Sequence, residues 1–144
     1  MPLMYVLADA SHTKWFNRVE SDVFDHAIAP LSLVAFLGDA RHHICIAVDD
    51  EVIVGFVSAV DYVHPDKPRE LWINEVGIAP KWQGKGIAKH LLTMMFAHGR
   101  TLGCAEAWIL SDPDNAAANG LYRSVQSAVD SEPTPAVMYS FKLT

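Results

Sequence analysis

The chain predicts an α/β domain with a mixed sheet, and three features of its 144 residues lead there. Two runs rich in β-formers, 44–48 and 52–62, flank the polar break Asp49-Asp50-Glu51, the pattern of an antiparallel hairpin. A third run, 71–78, is apolar enough for a central strand and stops at Ala79-Pro80. A glycine-bearing turn then leads into residues with helical spacing.

The remaining elements follow in chain order. Residues 4–8 read as a first short strand, and Ser11 as the N-cap of a helix reaching about residue 20. Leu31, Val34, Ala35 and Leu37 after Pro30 have helical spacing, closed by Gly38. Gly55, inside the second strand of the hairpin, marks a bulge. The turn-rich stretch His64-Pro65-Asp66-Lys67-Pro68 is a loop suited to one wall of an acceptor site. In the helix after 71–78, Ile87, Leu91 and Met95 form one line, with Ala88, Leu92 and Phe96 beside it. Gly99 or Gly103 ends that helix. A strand over 105–110, a helix over 115–124 and an alternating closing strand over 137–143 complete a β-α-α-β-β-β-α-β-α-β order. No repeat, low-complexity tract or linker divides residues 1–144, so one domain is expected.

Composition narrows the function classes. Apolar residues make up 51% and charged residues 19%, which excludes a disordered chain. A net charge of −6 argues against nucleic acid as the main partner and suits a cationic one. No apolar run is long enough to span a bilayer, and residues 1–5 lack the basic start of a secretory signal, so a cytoplasmic location is expected. Cys45 and Cys104 lie in apolar, strand-like surroundings and read as small hydrophobes. The histidines have no metal-binding spacing: His42 and His43 are adjacent, so a strand sends them to opposite faces, and His90 and His98 have no third ligand. No metal is expected.

The richest stretch is Gln83-Gly84-Lys85-Gly86-Ile87-Ala88-Lys89. A strand, a glycine turn and a helix in that order leave unpaired N–H groups at the positive end of a helix dipole, a site for a phosphate. An ordinary strand-to-helix turn has the same local pattern. The spelling, however, resembles the acyl-CoA-binding signature Gln/Arg-x-x-Gly-x-Gly/Ala of the GNAT superfamily of N-acetyltransferases, met here by Gln83, Gly86 and Ala88. Asn115-Ala116-Ala117-Ala118-Asn119-Gly120-Leu121-Tyr122 is similar to a later helix of that family. The resemblance implies the GNAT fold: a mostly antiparallel central sheet flanked by helices, in which strands 71–78 and 105–110 splay apart. It implies acetyl-CoA as co-substrate. Backbone contacts to the pantetheine arm are then expected from Val76, Gly77 and Ile78, and pyrophosphate contacts from Gly84, Lys85, Gly86, Ile87, Ala88 and Lys89. Asn115 and Tyr122 match family residues that meet the arm and the sulfur. Members are often dimers, and a homodimer is the expected assembly.

Acetyl transfer to an amine requires that an ammonium lose its proton and that a departing thiolate gain one. An amine of pKa near 10 is only about a thousandth free base at pH 7. Glu75, inside an apolar strand, and Asp112, just past the next strand, are the candidate carboxylates. Alternatives stand beside both: a structural ion pair for Glu75, and helix capping for Asp112. Tyr122 is the candidate acid by resemblance, or else packs its helix onto the sheet. A glutamate five residues before the motif asparagine is the base in many relatives, but Leu110 stands there.

The spacing most resembles the short aminoglycoside 3-N-acetyltransferases, in the placement of Glu75 and in Asp112 standing ten residues before Tyr122. Residues 123–127 lack the Gly-Phe pair of longer relatives. A small cationic acceptor is therefore expected, drawn to Asp22, Asp25, Glu75, Asp112 and Asp130 if these line the cleft. Acetylation of a protein N-terminus, a lysine or a polyamine is the alternative within enzymes. A non-catalytic acyl-CoA-binding module is the alternative outside them.

Overall fold

The computed structural model describes residues 2–144. Five strands form one sheet in chain order: β1 (Met4–Leu7), β2 (His42–Asp49), β3 (Val52–His64), β4 (Lys67–Ile78) and β5 (Glu106–Trp108). The first four are antiparallel neighbours and β5 runs parallel to β4. Tight turns enforce that order. Asp50 and Glu51, both at positive φ (46° and 64°), close the β2–β3 hairpin as a primed turn, which matches the twist of the strands. His64 pairs with Lys67 around Pro65-Asp66, so the expected loop there is the tip of a second hairpin.

Each face of the sheet carries its own core. On one, α2 (Ile87–Thr101) sets Leu91, Leu92 and Met95 against Ala59, Leu71 and Ile73. Each of these fully buried helix side chains stabilises the fold by roughly 1.5–3 kcal/mol. On the other face, Phe16 and Val23 cover Ile44, Ile46 and Phe56, with α1 (Pro30–Gly38) alongside. Gly77 permits this contact: a Cβ there would lie 2.2 Å from the Val23 carbonyl oxygen.

Two bulges adjust the register. One lies opposite Ala47 and Val48, where Gly55 and Ile53 are their partners and Val54 is the extra residue, beside the glycine that signalled it. The other was not legible. Ser58 faces Glu75 while Ala59 faces Ile73, so Asn74 is the extra residue and Glu75 rejoins the face of Glu70 and Trp72.

Two expected elements are absent. The helix from Ser11 is instead a 3₁₀ helix over Ala10–Asn17, capped by Asp9, whose carboxylate accepts from the Ser11 N–H at 2.8 Å. His12 returns the cap by accepting from the Asp9 N–H at 3.0 Å, and this box holds a tight turn that an α-helix does not continue. The closing strand over 137–143 does not form, and Tyr139 and Phe141 are 78% and 82% exposed. Alternation supplies strand propensity, but a strand exists only with a ladder partner, and this stretch meets none.

A polar cluster ties the C-terminal end of α2 to the sheet. Buried Asp61, 2% exposed, receives Nε2–H of His43 at 2.5 Å and the Arg69 guanidinium at 2.5 Å. His43 Nδ1 in turn accepts from His98 Nε2–H at 2.9 Å. One set of neutral tautomers satisfies the whole chain of bonds. Burial works to raise the Asp61 pKa, but the hydrogen bonds and charges of His43 and Arg69 outweigh it and hold it below the usual carboxylate range. Burial lowers His98, and repulsion from His43 whenever that ring is protonated acts in the same direction.

Both shifts favour the neutral-pH fold. Asp61 contributes fully above its unfolded pKa of about 3.9, and that contribution fades as pH falls through the lower folded value. His98 resists a proton that the unfolded chain accepts below about pH 6.5, so stability declines as pH falls through that region. Urea denaturation is expected to give a lower midpoint at pH 5 than at pH 7, with His98→Gln flattening that slope. Asp61→Asn is expected to cost about 1–3 kcal/mol at pH 7, since it leaves the buried His43 Nε2–H with a weaker, uncharged acceptor. Gly77→Ala, by forcing β4 away from the Val23 backbone, is expected to cost about 1–3 kcal/mol in the same assay.

Candidate active site

The functional region begins where β4 and β5 part. Their pairing runs only from Glu70–Glu106 through Leu71–Ala107 to Trp72–Trp108. Beyond Trp72, residues 73–78 of β4 continue with no strand on that side, which is the splay implied by the family resemblance. Apart from the Ile78 carbonyl, backbone N–H and C=O groups facing outward along that margin have no ladder partner and can meet an extended ligand. Val76, Gly77 and Ile78 lie in this segment, all partly buried.

The glycine turn closes one end of the gap. Gln83 Nε2 donates to the Ile78 carbonyl at 3.1 Å and fastens the turn to the end of β4. Gly84 and Gly86 have φ of 74° and 79°, the left-handed region that strains other residues. A Cβ built at either meets nothing within 4 Å, so conformation, not crowding, requires glycine and the turn's surface stands open. Gly86 caps α2, and the first helical bond runs from His90 N–H to the Gly86 carbonyl at 3.1 Å. The N–H groups of Ile87, Ala88 and Lys89 precede it and have no partner within the helix. Lys85 and Lys89 add positive charge. Trp82, immediately before the turn, has a buried indole N–H without an acceptor among the described residues.

After β5 the chain forms α3 (Ala116–Val125), which packs beside α2. Asn115 caps α3, its Oδ1 accepting from Ala118 N–H at 3.0 Å, which leaves its amide NH₂ free. Asp112 is exposed, and its Oδ1 accepts from Asp114 N–H at 2.8 Å. It therefore shapes the turn before the helix, while the cap itself is Asn115. Asn119 Nδ2 donates to the Asp112 carbonyl at 3.0 Å and pins that turn. Tyr122 packs against the α2-side core, half-buried, and burial raises its phenol pKa, so it carries its proton at neutral pH. Glu75 is exposed on the opposite face and takes part in none of the ion pairs among the described residues.

That face carries two glutamates the sequence reading missed. Glu70 and Trp72 of β4 stand level with Glu106 and Trp108 of β5. The two indoles stack with centroids 5.7 Å apart. Trp108 Nε1–H donates to the Tyr62 hydroxyl at 2.9 Å, and that hydroxyl donates to Glu70 at 3.0 Å. Tyr62, Glu70, Glu106 and Trp108, with His64 and Lys67, line an open cavity of about 430 Å³. The expectation that the His64 hairpin walls a pocket fits this cavity, but its acids are Glu70 and Glu106. Asp22, Asp25, Glu75, Asp112 and Asp130 do not line it. The signal was present as the repeated spelling Glu-x-Trp at 70–72 and 106–108, which parallel pairing brings level.

No helix among the described residues is long and apolar enough to cross a membrane, and none of their His, Cys, Asp and Glu side chains group in threes suited to a metal.

Comparison with known proteins agrees with this geometry. The chain is 32% identical over 85 residues to the mycothiol acetyltransferase of Saccharopolyspora erythraea, covering 51% of this chain and 27% of that protein. It spans about half or less of the length of the curated relatives it matches. Among solved structures, an aminoglycoside acetyltransferase, meta-AAC0020, from an uncultured soil metagenomic sample in complex with sisomicin, superposes with a TM-score of 0.80 at 18% identity over 97% of both chains. The aminoglycoside acetyltransferase AAC(6')-Iy, in complex with a bisubstrate analogue of CoA and acetylneamine, gives 0.78 at 19% identity over 99% of both. At these identities the likeness is one of fold. The model of the acetyltransferase (GNAT) family matches residues 3–126, most of the chain, and the protein belongs to that family.

Proposed function

We propose that this protein is an acetyl-CoA-dependent N-acetyltransferase that acylates a primary amine of a small polycationic aminosugar, by direct attack within a ternary complex. The observation that carries the reading is the gap beyond Trp72 and Trp108, with an open, left-handed glycine turn at the end of β4. The residues present fit acetyl-CoA: free N–H groups and two lysines for a diphosphate, and an unpaired strand margin for an amide-bearing arm. When bound, that co-substrate supplies an activated acetyl thioester.

The chain's own groups would then divide the work. Gly84, Lys85, Gly86, Ile87, Ala88 and Lys89 hold the diphosphate, and Gln83 positions the turn through its bond to Ile78. Val76, Gly77 and Ile78 offer backbone partners to the arm, and the free amide of Asn115 donates to it. Glu75, exposed and without an ion-pair partner, binds the acceptor ammonium and takes its proton, directly or through water. Asp112, already fixed by the Asp114 N–H, adds negative charge for the acceptor. Tyr122, kept protonated by burial, gives its proton to the departing thiolate.

The neighbouring face suits the same acceptor. Two level glutamates beside stacked indoles and a tyrosine attract ammonium groups and apolar sugar faces together. The 3-N amine is the position to which the sequence resemblance points. Thiol release from acetyl-CoA with gentamicin-class acceptors, followed by NMR assignment of the acetylated nitrogen, tests acceptor and position at once. Thiol release with protein N-termini, lysines or polyamines but not aminosugars would overturn the acceptor.

Three variants sharpen the reading. Gly86→Val is expected to raise KM for acetyl-CoA at least about tenfold, because φ of 79° strains a β-branched residue and shifts the turn. Tyr122→Phe is expected to lower kcat by roughly 10²-fold, with calorimetric CoA affinity unchanged. Glu75→Gln is expected to lower kcat/KM by a similar factor. Tight CoA binding with no rate change in either of the last two would favour a non-catalytic acyl-CoA-binding module.

A further inference from the structure

Among the described residues, three polar side chains are more than nine-tenths buried: His43 and Ser58, each 7% exposed, and Asp61, 2% exposed. His43 and Asp61 are bonded to each other. Ser58 stands alone. The polar side chains of β3 are Ser58, Asp61, Tyr62 and His64, and the last three all have hydrogen-bond partners. The Ser58 hydroxyl has none among the described residues. A hydroxyl taken from water without a partner destabilises a fold, so one kept in mid-strand calls for a use.

The neighbours of Ser58 show where it opens. Ile44 faces it from β2 and Glu75 from β4, while Phe56 and Val60 flank it along β3 on the same face. Ile44 and Phe56 are buried and Val60 partly so, whereas Glu75 is exposed. The polar atoms sealed from water without a partner are His42 Nδ1 and Trp82 Nε1, so the Ser58 oxygen still reaches solvent. Its opening lies on the side of Glu75. Cross-strand partners set their Cβ atoms roughly 4.5–5.5 Å apart, which leaves room for a water between hydroxyl and carboxylate. The bulge creates this pair. Ala59 faces Ile73, so an unbulged ladder would set Asn74 opposite Ser58, and the extra residue brings Glu75 there instead. A carboxylate takes a proton from an ammonium where an amide does not.

We propose that Ser58 is a positioning residue for acetyl transfer: its hydroxyl holds the water through which the acceptor ammonium passes its proton to Glu75. The ammonium N–H bond breaks as the water oxygen gains that proton, and the water gives one of its own to a Glu75 carboxylate oxygen. The amine is left neutral with its lone pair free, the water is restored, and Glu75 returns the proton to solvent. Ser58 keeps its own charge throughout and fixes the water between nitrogen and carboxylate. It has this role only if Glu75 takes the acceptor's proton, as in the proposed function, and of the two routes given there it selects the one through water.

Thiol release from acetyl-CoA, measured with the fastest acceptor among aminosugars, polyamines and lysine peptides, is set beside urea denaturation of the same proteins. Ser58→Ala is expected to lower kcat roughly tenfold, less than the loss of Glu75 itself, with KM for acetyl-CoA unchanged. Its urea midpoint is expected to hold or rise, because the deleted hydroxyl had no partner. Ser58→Cys, similar in shape with a weaker hydrogen-bonding group, is expected to fall between the two in rate. Crystals of the unsubstituted chain are expected to show an ordered water within hydrogen-bond distance of both Ser58 Oγ and Glu75, and crystals of Ser58→Ala to lack it. Full kcat in Ser58→Ala overturns the proposal, as does a fall in its midpoint, which would mark a role in packing. A crystal in which Ser58 bonds a protein group and no water overturns it too. If Glu75→Gln slows turnover while Ser58→Ala does not, Ser58 alone loses its role and Glu75 keeps its own. If Glu75→Gln leaves turnover unchanged, the base assignment fails and Ser58 falls with it.

Discussion

The divergence of β4 from β5 after one short paired stretch governs the architecture. Parallel neighbours cannot be joined by a hairpin, so the chain must leave β4, cross one face of the sheet and return. The crossover is α2, and its first residue follows the end of β4 by a turn of eight residues, 79–86. That geometry puts the positive end of the helix at the mouth of the gap. Had β5 paired with β4 along its whole length, residues 73–78 would have no free margin. The helix terminus would then face a closed sheet.

Such a gap has an energetic consequence. Unpaired backbone groups removed from water without partners cost about 1–3 kcal/mol each, so the margin of β4 must be wet or filled. The protein offsets the missing ladder elsewhere. Gln83 occupies the Ile78 carbonyl, Leu71 and Ile73 are buried under α2, and Gly99 brings that helix close enough that a Cβ there would lie 2.9 Å from Leu71 Cδ2. At the far end of α2, the His98–His43–Asp61–Arg69 cluster binds helix to sheet by directed bonds. The helix is fixed at its middle and its C-terminal end, leaving its N-terminal N–H groups available.

Much of this was legible because local pattern and tertiary environment agree. The stripe Ile87, Leu91 and Met95 has only one way to be buried, and the glycines at 84 and 86 announce left-handed turns by residue type. The bulge at Asn74 left no trace, since it depends on pairing with Ser58 and not on composition. Neither did the histidine–aspartate cluster, whose members are up to 55 residues apart and meet only through the fold. The 3₁₀ helix was misread because Asp9 caps two residues before the apparent cap Ser11. The 137–143 strand failed for a different reason: its pattern was read correctly, but pattern does not supply a partner.

The cavity glutamates illustrate how register converts sequence into electrostatics. In parallel pairing, Glu70 and Glu106 are lateral neighbours on one face, an arrangement in which like charges repel. The Tyr62 hydroxyl gives Glu70 a single hydrogen bond, itself braced by Trp108, and the fold gives Glu106 no ion-pair partner among the described residues. Swapping either glutamate for a neutral residue would relieve that repulsion in the free protein. A ligand bearing two ammonium groups would relieve it too, and would gain stacking surface from Trp72, Trp108 and Tyr62. On the proposed reading, the electrostatic cost built into β4 and β5 is repaid only when a polycation binds, which selects against neutral sugars of the same shape.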